Sequence, residues 1–143
     1  RLPVGRSEDA FVTSALDLAT TFCATAGVNA PATFEGHDLI ALANGGPAQR
    51  AQVFGSYHGA QFGAYSQRMV RTRVWKFIWN ATAEDELYDL AADPGEVRNR
   101  AADPACAEIL RSLRGELAAW MAEVNDPLLN EWTRRQLLDG HKT

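Results

Sequence analysis

The stretch Arg68–Glu96, RMVRTRVWKFIWNATAEDELYDLAADPGE, decides the fold. Trp75, Phe77 and Trp79 alternate with Val74, Lys76 and Ile78. Successive side chains of a strand point to opposite faces, so this period-2 run of aromatic and β-branched residues predicts a strand with one buried side. Just upstream, Gln67, Met69 and Arg71 alternate with Arg68, Val70 and Thr72. A turn near Thr72-Arg73 lays the two runs together as a hairpin, although no Asn-Gly or Asp-Gly marks it. Glu86–Leu90 reads as a third short strand. Asp93-Pro94-Gly95-Glu96 reads as a helix start, with Asp93 as N-cap, Pro94 at the first position and Glu96 reaching back.

Downstream, Asp103-Pro104 supplies an N-cap and first residue for a long helix running to Val124. Ile109, Leu113, Leu117, Trp120 and Val124 form its apolar stripe, with Leu110 and Met121 beside it. That face needs a sheet to cover, and the Trp side of the hairpin is the expected partner. Asn125-Asp126-Pro127 ends this helix, and a last one over Leu128–Asp139 stops at Gly140.

Upstream, Phe11-Val12 reads as a short strand. Ser14–Asp17 fits a capping box with Asp17 as its acid, and Gly27 is placed to close the helix that follows. His37–Asn44 is a helical turn halted by Gly45-Gly46-Pro47, and a soft boundary falls at Gly45–Arg50. Ala51–Tyr57 is a further strand. It leads into Tyr57-His58-Gly59-Ala60-Gln61-Phe62-Gly63, where glycines on both sides of a His and a Gln let backbone and ligand approach closely.

The 143 residues, 46% hydrophobic, suffice for one buried core. A net charge of −4 with dispersed Arg residues argues against a nucleic-acid partner held on a basic surface. No apolar run reaches the roughly 18 residues of a membrane span, and no signal-peptide pattern opens the chain. The expectation is a soluble protein of bacterial cytoplasm or periplasm. The first residue is Arg1, so a trimmed or excised piece is expected. Cys23 and Cys106 sit in helical patterns and read as buried free thiols, with a disulfide the open alternative.

The order and spacing of Arg71-Thr72, Trp75-Lys76-Phe77-Ile78, Glu86–Leu90 and Asp93–Asn99 resemble the C-terminal part of the sulfatase family. Asp17–Gly27 resembles the family's D-L-x-P-T-x-x-x-x-A-G helix, with Thr20 where Pro is usual. Since a helix interior does not need proline, that departure is harmless. The resemblance runs from about Val12 to Asp126. It implies an α+β fold: a small antiparallel sheet of about four strands, packed by a long C-terminal helix and preceded by a helical segment. Residues 1–47 would be the edge of a large α/β catalytic domain with its linker, and residues 48–143 the C-terminal subdomain.

The resemblance also implies an activity, sulfuric ester hydrolysis, with formylglycine and Ca2+ as the parent's cofactors. Formylglycine forms from a Cys or Ser in a C/S-x-P/A-x-R context; Cys23 is followed by Ala-Thr-Ala and Cys106 by Ala-Glu-Ile. The paired aspartates that would hold the ion are missing too. The expected partners are therefore the upstream catalytic domain and a sulfate ester, and the chain alone should be inactive. A phosphonate monoester hydrolase or phosphodiesterase of the same superfamily is the rival enzyme. A non-catalytic module, with Leu128–Leu138 and Trp132 packing on another subunit, is the rival of another class.

His58, Gln61 and Arg68 are the candidate substrate-binding residues. An Arg fork and an imidazole N–H suit the oxygens of a sulfate ester, and a His near its ordinary pKa can protonate a leaving oxygen. For Arg68 a solvated or ion-paired strand arginine competes with that role. Lys76, Tyr88 and Asp89 read as structural. Asn80-Ala81-Thr82 is a sequon of use only in a secreted eukaryotic protein. Glu84-Asp85-Glu86 with Asp89 lacks the pattern of a calcium loop and reads as a solvated acidic turn. His37 and His141 stand too isolated to be ligands.

Overall fold

A computed structural model describes residues 2, 4, 5, 7, 9–47, 50–59 and 65–140. The chain forms two compact units, Arg1–Val53 and Phe54–Thr143.

The first unit holds helix α1 (Ser14–Thr25) and the short helix α2 (Leu39–Ala43). Thr13 is the N-cap of α1, and Asp17 reaches back to the Thr13 N–H at 2.6 Å. The predicted reach-back by Asp17 is present, one residue earlier than the sequence places it. Gly27 follows the helix at φ +69. Asp38 caps α2 through the Ile40 N–H. Phe11-Val12 forms no strand.

The second unit is an antiparallel sheet and the helices that belong to it. Strands β1 (Val53–His58), β2 (Ser66–Arg71), β3 (Trp75–Asn80) and β4 (Glu86–Asp89) lie in the order β1-β2-β3-β4. The β2–β3 hairpin pairs Arg68 with Trp79, Val70 with Phe77 and Arg71 with Lys76. Its turn has no glycine. The Thr72 hydroxyl instead accepts the N–H groups of Val74 and Trp75, a side chain standing in for a backbone acceptor. Gln67 and Asn80, opposite each other, join side chain to side chain at 2.5 Å.

Asp103 caps a 3-10 turn over Pro104–Cys106, which runs into α3 (Ala107–Glu123). The buried seam of α3 is Leu110, Leu113, Leu117, Ala118 and Met121. It shares one core with Val70, Phe77, Trp79 and Leu87 of the sheet. Each such side chain contributes on the order of 1.5–3 kcal/mol when fully buried. Phe54 of β1 stacks on Trp120, centroids 4.9 Å apart and planes at 2°. The sequence stripe is thus rotated slightly: Val124, expected inside, is 43% exposed. Asn125 takes φ +52 and turns the chain out of α3. Helix α4 (Glu131–Asp139) begins later than the pattern predicts, at an Asn130/Thr133 capping box, and its Leu137 joins the core. Arg114 of α3 lies 5.9 Å over the Phe77 ring and pairs with Asp85 at 3.1 Å.

Asp93-Pro94-Gly95-Glu96 starts no helix. Asp93 accepts the N–H groups of Val97 and Arg98, Glu96 sits at φ +54, and its carboxylate turns to Lys76 at 2.5 Å rather than back along the chain. Beyond this turn Asn99 Oδ1 accepts the Leu87 N–H, and the Arg100 N–H donates to the Leu87 carbonyl at 2.7 Å. Both cysteines are free, Cys106 buried and Cys23 half-buried. Among the described residues no helix is long and apolar enough to cross a membrane.

Candidate functional site

His58 is the last residue of β1, not a loop residue, and it is exposed. Alternation along the strand sets Ser56 and His58 on the side of Phe54, which packs on the core. Tyr57 and Tyr65 on either side of the loop are 55% and 57% exposed. The Gly59 N–H donates to the Tyr65 carbonyl at 2.7 Å, so the chain is clasped where it leaves β1 and where it approaches β2. Gln61, the second candidate, lies outside the described residues.

Arg68 does not present an open fork to a ligand. It opposes Trp79 on the helix-covered side of the hairpin and is 1% exposed. Its Nε and Nη2 donate to the two carboxylate oxygens of Asp126 at 2.5 and 2.9 Å, and Nη1 donates to the Gln67 carbonyl at 2.9 Å. Substrate contact by Arg68, as the sequence suggests it, is set aside for this reason: every terminal nitrogen of the fork has an internal acceptor and no water-facing side. The signal that could have placed it was in the strand. Arg68 shares parity with Val70, so it had to enter the core with a partner.

Asp126 is fixed in turn. Its N–H donates to the Met121 carbonyl at 2.8 Å, and its Oδ1 accepts the Leu128 N–H at 2.9 Å. Burial pushes its carboxyl up, but the hydrogen bonds from Arg68 and Leu128 and the charges of Arg68 and His58 hold it below the ordinary 3.8. The carboxylate that sequence reasoning passed over as a helix terminator is therefore the anion of this neighbourhood.

The opposite face of the sheet carries a hollow of about 290 Å³, lined by Gly55, Tyr57, Gln67, Met69, Lys76 and Ile78. Lys76 there is tied to Glu96, not free in water or laid over a ring. Further along the face, Tyr88 donates to Glu86 at 2.7 Å, and this bond, with burial, pushes the phenol up to about 12. Asp89 accepts the N–H groups of Ala91 and Ala92, as expected. Asp85 and Glu86 of the acidic turn are taken up by Arg114, Asn80 and Tyr88.

Among the described residues no group of His, Cys, Asp and Glu side chains converges as a metal site requires. These residues do not fit Ca2+, whose hard ion needs several oxygen ligands at once. What the loop end of the sheet presents is an exposed imidazole on the helix-packed side and the exposed Tyr57 phenol on the other.

The family model described as N-sulphoglucosamine sulphohydrolase, C-terminal, matches residues 1–123. A protein of Haemophilus influenzae without an assigned function is 35% identical over 83% of this chain and 61% of its own length. The Delta 4,5-hexuronate-2-O-sulfatase of Bacteroides thetaiotaomicron is 31% identical over 78% of this chain and 24% of its own. In fold, the phosphonate monoester hydrolase of Agrobacterium radiobacter superposes with a TM-score of 0.71 at 24% identity, over 83% of this chain and 26% of its own. The chain thus spans about a quarter of these two enzymes. It belongs to the N-sulphoglucosamine sulphohydrolase C-terminal family.

Proposed function

We propose that this chain is the scaffold portion of a sulfuric ester hydrolase and walls part of its substrate pocket, with His58 and Gln61 as substrate-binding residues. The match of residues 1–123 to the sulfohydrolase family carries this reading. Formylglycine and Ca2+ belong, on this proposal, to the upstream catalytic domain. His58 supplies an N–H to an anionic oxygen or to the group bearing the sulfate. Gln61 is proposed from its place in the sequence alone. The relative named as a hexuronate 2-O-sulfatase makes a sulfated sugar the first substrate to try.

Two assays test it. The 143-residue chain alone is expected to give no turnover of an aryl sulfate or a sulfated disaccharide above background. The longer protein that carries it should hydrolyse the sulfated sugar, and His58→Ala should raise KM several-fold. A phosphodiester or phosphonate monoester hydrolysed in preference would install the rival enzyme, whose structural neighbour shares the fold.

A further inference from the structure

We propose that Asp126 is a positioning residue, which acts through Arg68 to hold the His58 end of the sheet in place. The role rests on the reading of His58 as a pocket residue, but the geometry stands by itself. Arg68 lies near the start of β2, close to the clasp in which Gly59 N–H meets the Tyr65 carbonyl. It is the large charged side chain among the fully buried ones of the core. A buried guanidinium without a partner would swing out or draw water in, and either move displaces the head of β2.

Asp126 prevents this from the α3–α4 junction, held by main-chain bonds on both sides. It lies beyond residue 123, where the family match ends. On the other face the side-chain bond from Gln67 to Asn80 pins the same end of β2. The head of β2 is thus gripped from above by α3's terminus and from below by β3. His58 gains a fixed position from a pair it does not itself complete.

Amide hydrogen exchange on the 143-residue chain tests the proposal. Two variants serve: Asp126→Asn, and the double change Arg68→Met with Asp126→Leu, which removes both charges and keeps apolar volume in case the first does not fold. The expected result is that in Asp126→Asn protection of the Gly59 amide falls at least ~10-fold relative to that of Phe77, because local opening there becomes independent of global unfolding, while the double variant, which leaves no unpaired cation, keeps it. Equal losses at the two amides or no loss at either in Asp126→Asn, or a selective loss at Gly59 in the double variant, would overturn it.

In the longer enzyme, Asp126→Asn should raise KM as His58→Ala does, with kcat held. Arg68→Lys in the otherwise unchanged enzyme should raise KM as well, since an ammonium cannot bridge both oxygens of Asp126. A KM that answers to His58→Ala and not to Asp126→Asn would also overturn the proposal. A KM indifferent to His58→Ala would instead sink the pocket reading of His58 and leave the exchange experiment to decide the role of Asp126.

Discussion

Arg50 and Asp17 meet as two forks: Nη1 lies 2.8 Å from Oδ2 and Nη2 2.8 Å from Oδ1. Asp17 is fully buried and also accepts the N–H groups of Thr13 and His37, so one carboxylate joins the start of α1, the approach to α2 and the segment before β1. Burial pushes its carboxyl up, but Arg50 and the two backbone donors hold it below the ordinary 3.8. A depressed acid favours the fold fully above its unfolded value. That stabilisation shrinks as pH falls below 3.8 and is gone once pH passes the lower folded value. Arg50→Ala leaves a buried charge unpaired and should cost about 3–5 kcal/mol. Urea unfolding followed by helix signal should show the acid-side loss in the wild type and a much smaller one in Asp17→Asn.

Tyr88 gives the alkaline counterpart. Its phenol, held by Glu86, ionises near 12 instead of 10.0. Above pH 10.0 the unfolded chain loses that proton first, so stability falls with pH until the folded phenol ionises as well. Tyrosinate absorbance should show one late-titrating phenol in the wild type. Glu86→Gln should bring it back toward 10.0.

Trp79 is 0% exposed, and its indole N–H has no hydrogen-bond partner among the described residues. Removing that N–H leaves no acceptor orphaned. Trp79→Phe should therefore cost about 1–2 kcal/mol, from lost volume alone, while Trp79→Ala should cost about 3–5 kcal/mol. Denaturant midpoints with an unchanged slope would establish both values.

Gly140 ends α4 at φ +73, and a Cβ there would fall 2.3 Å from Arg114 Nη1. Left-handed backbone costs a side chain about 1–2 kcal/mol, and the displaced guanidinium also weakens its pair with Asp85. Gly140→Ala should lower the melting temperature and raise proteolysis within α4 before the sheet unfolds.

The hairpin was legible because its aromatic alternation admits one burial pattern, and α3 because Asp103-Pro104 and a 3.6-residue stripe agree. The end of that stripe was not. Val124 has the right spacing, but α3 ends at Glu123 and Val124 is its half-exposed C-cap. The Asp93–Glu96 turn misled because its residues fit a capping box by type, while Lys76, a neighbour only in the folded sheet, claims the Glu96 carboxylate. At the candidate site, His58 could be singled out by its glycines. The inward turn of Arg68 could not be completed from sequence, since its acceptor is 58 residues away. Local spacing names a strand and its faces; it does not name which distant carboxylate a buried cation will find.

The bonds that Asn99 and Arg100 make to Leu87 occupy hydrogen-bonding groups that an outermost strand would otherwise leave bare. Such a bare margin is a template on which a foreign chain can add itself. Here the polypeptide supplies its own irregular coping, which has no further row of donors and acceptors to offer. The outer edge of β4 is therefore closed to lengthening at Leu87, a safeguard against strand addition that comes from the two residues Asn99 and Arg100 beyond the Asp93–Glu96 turn.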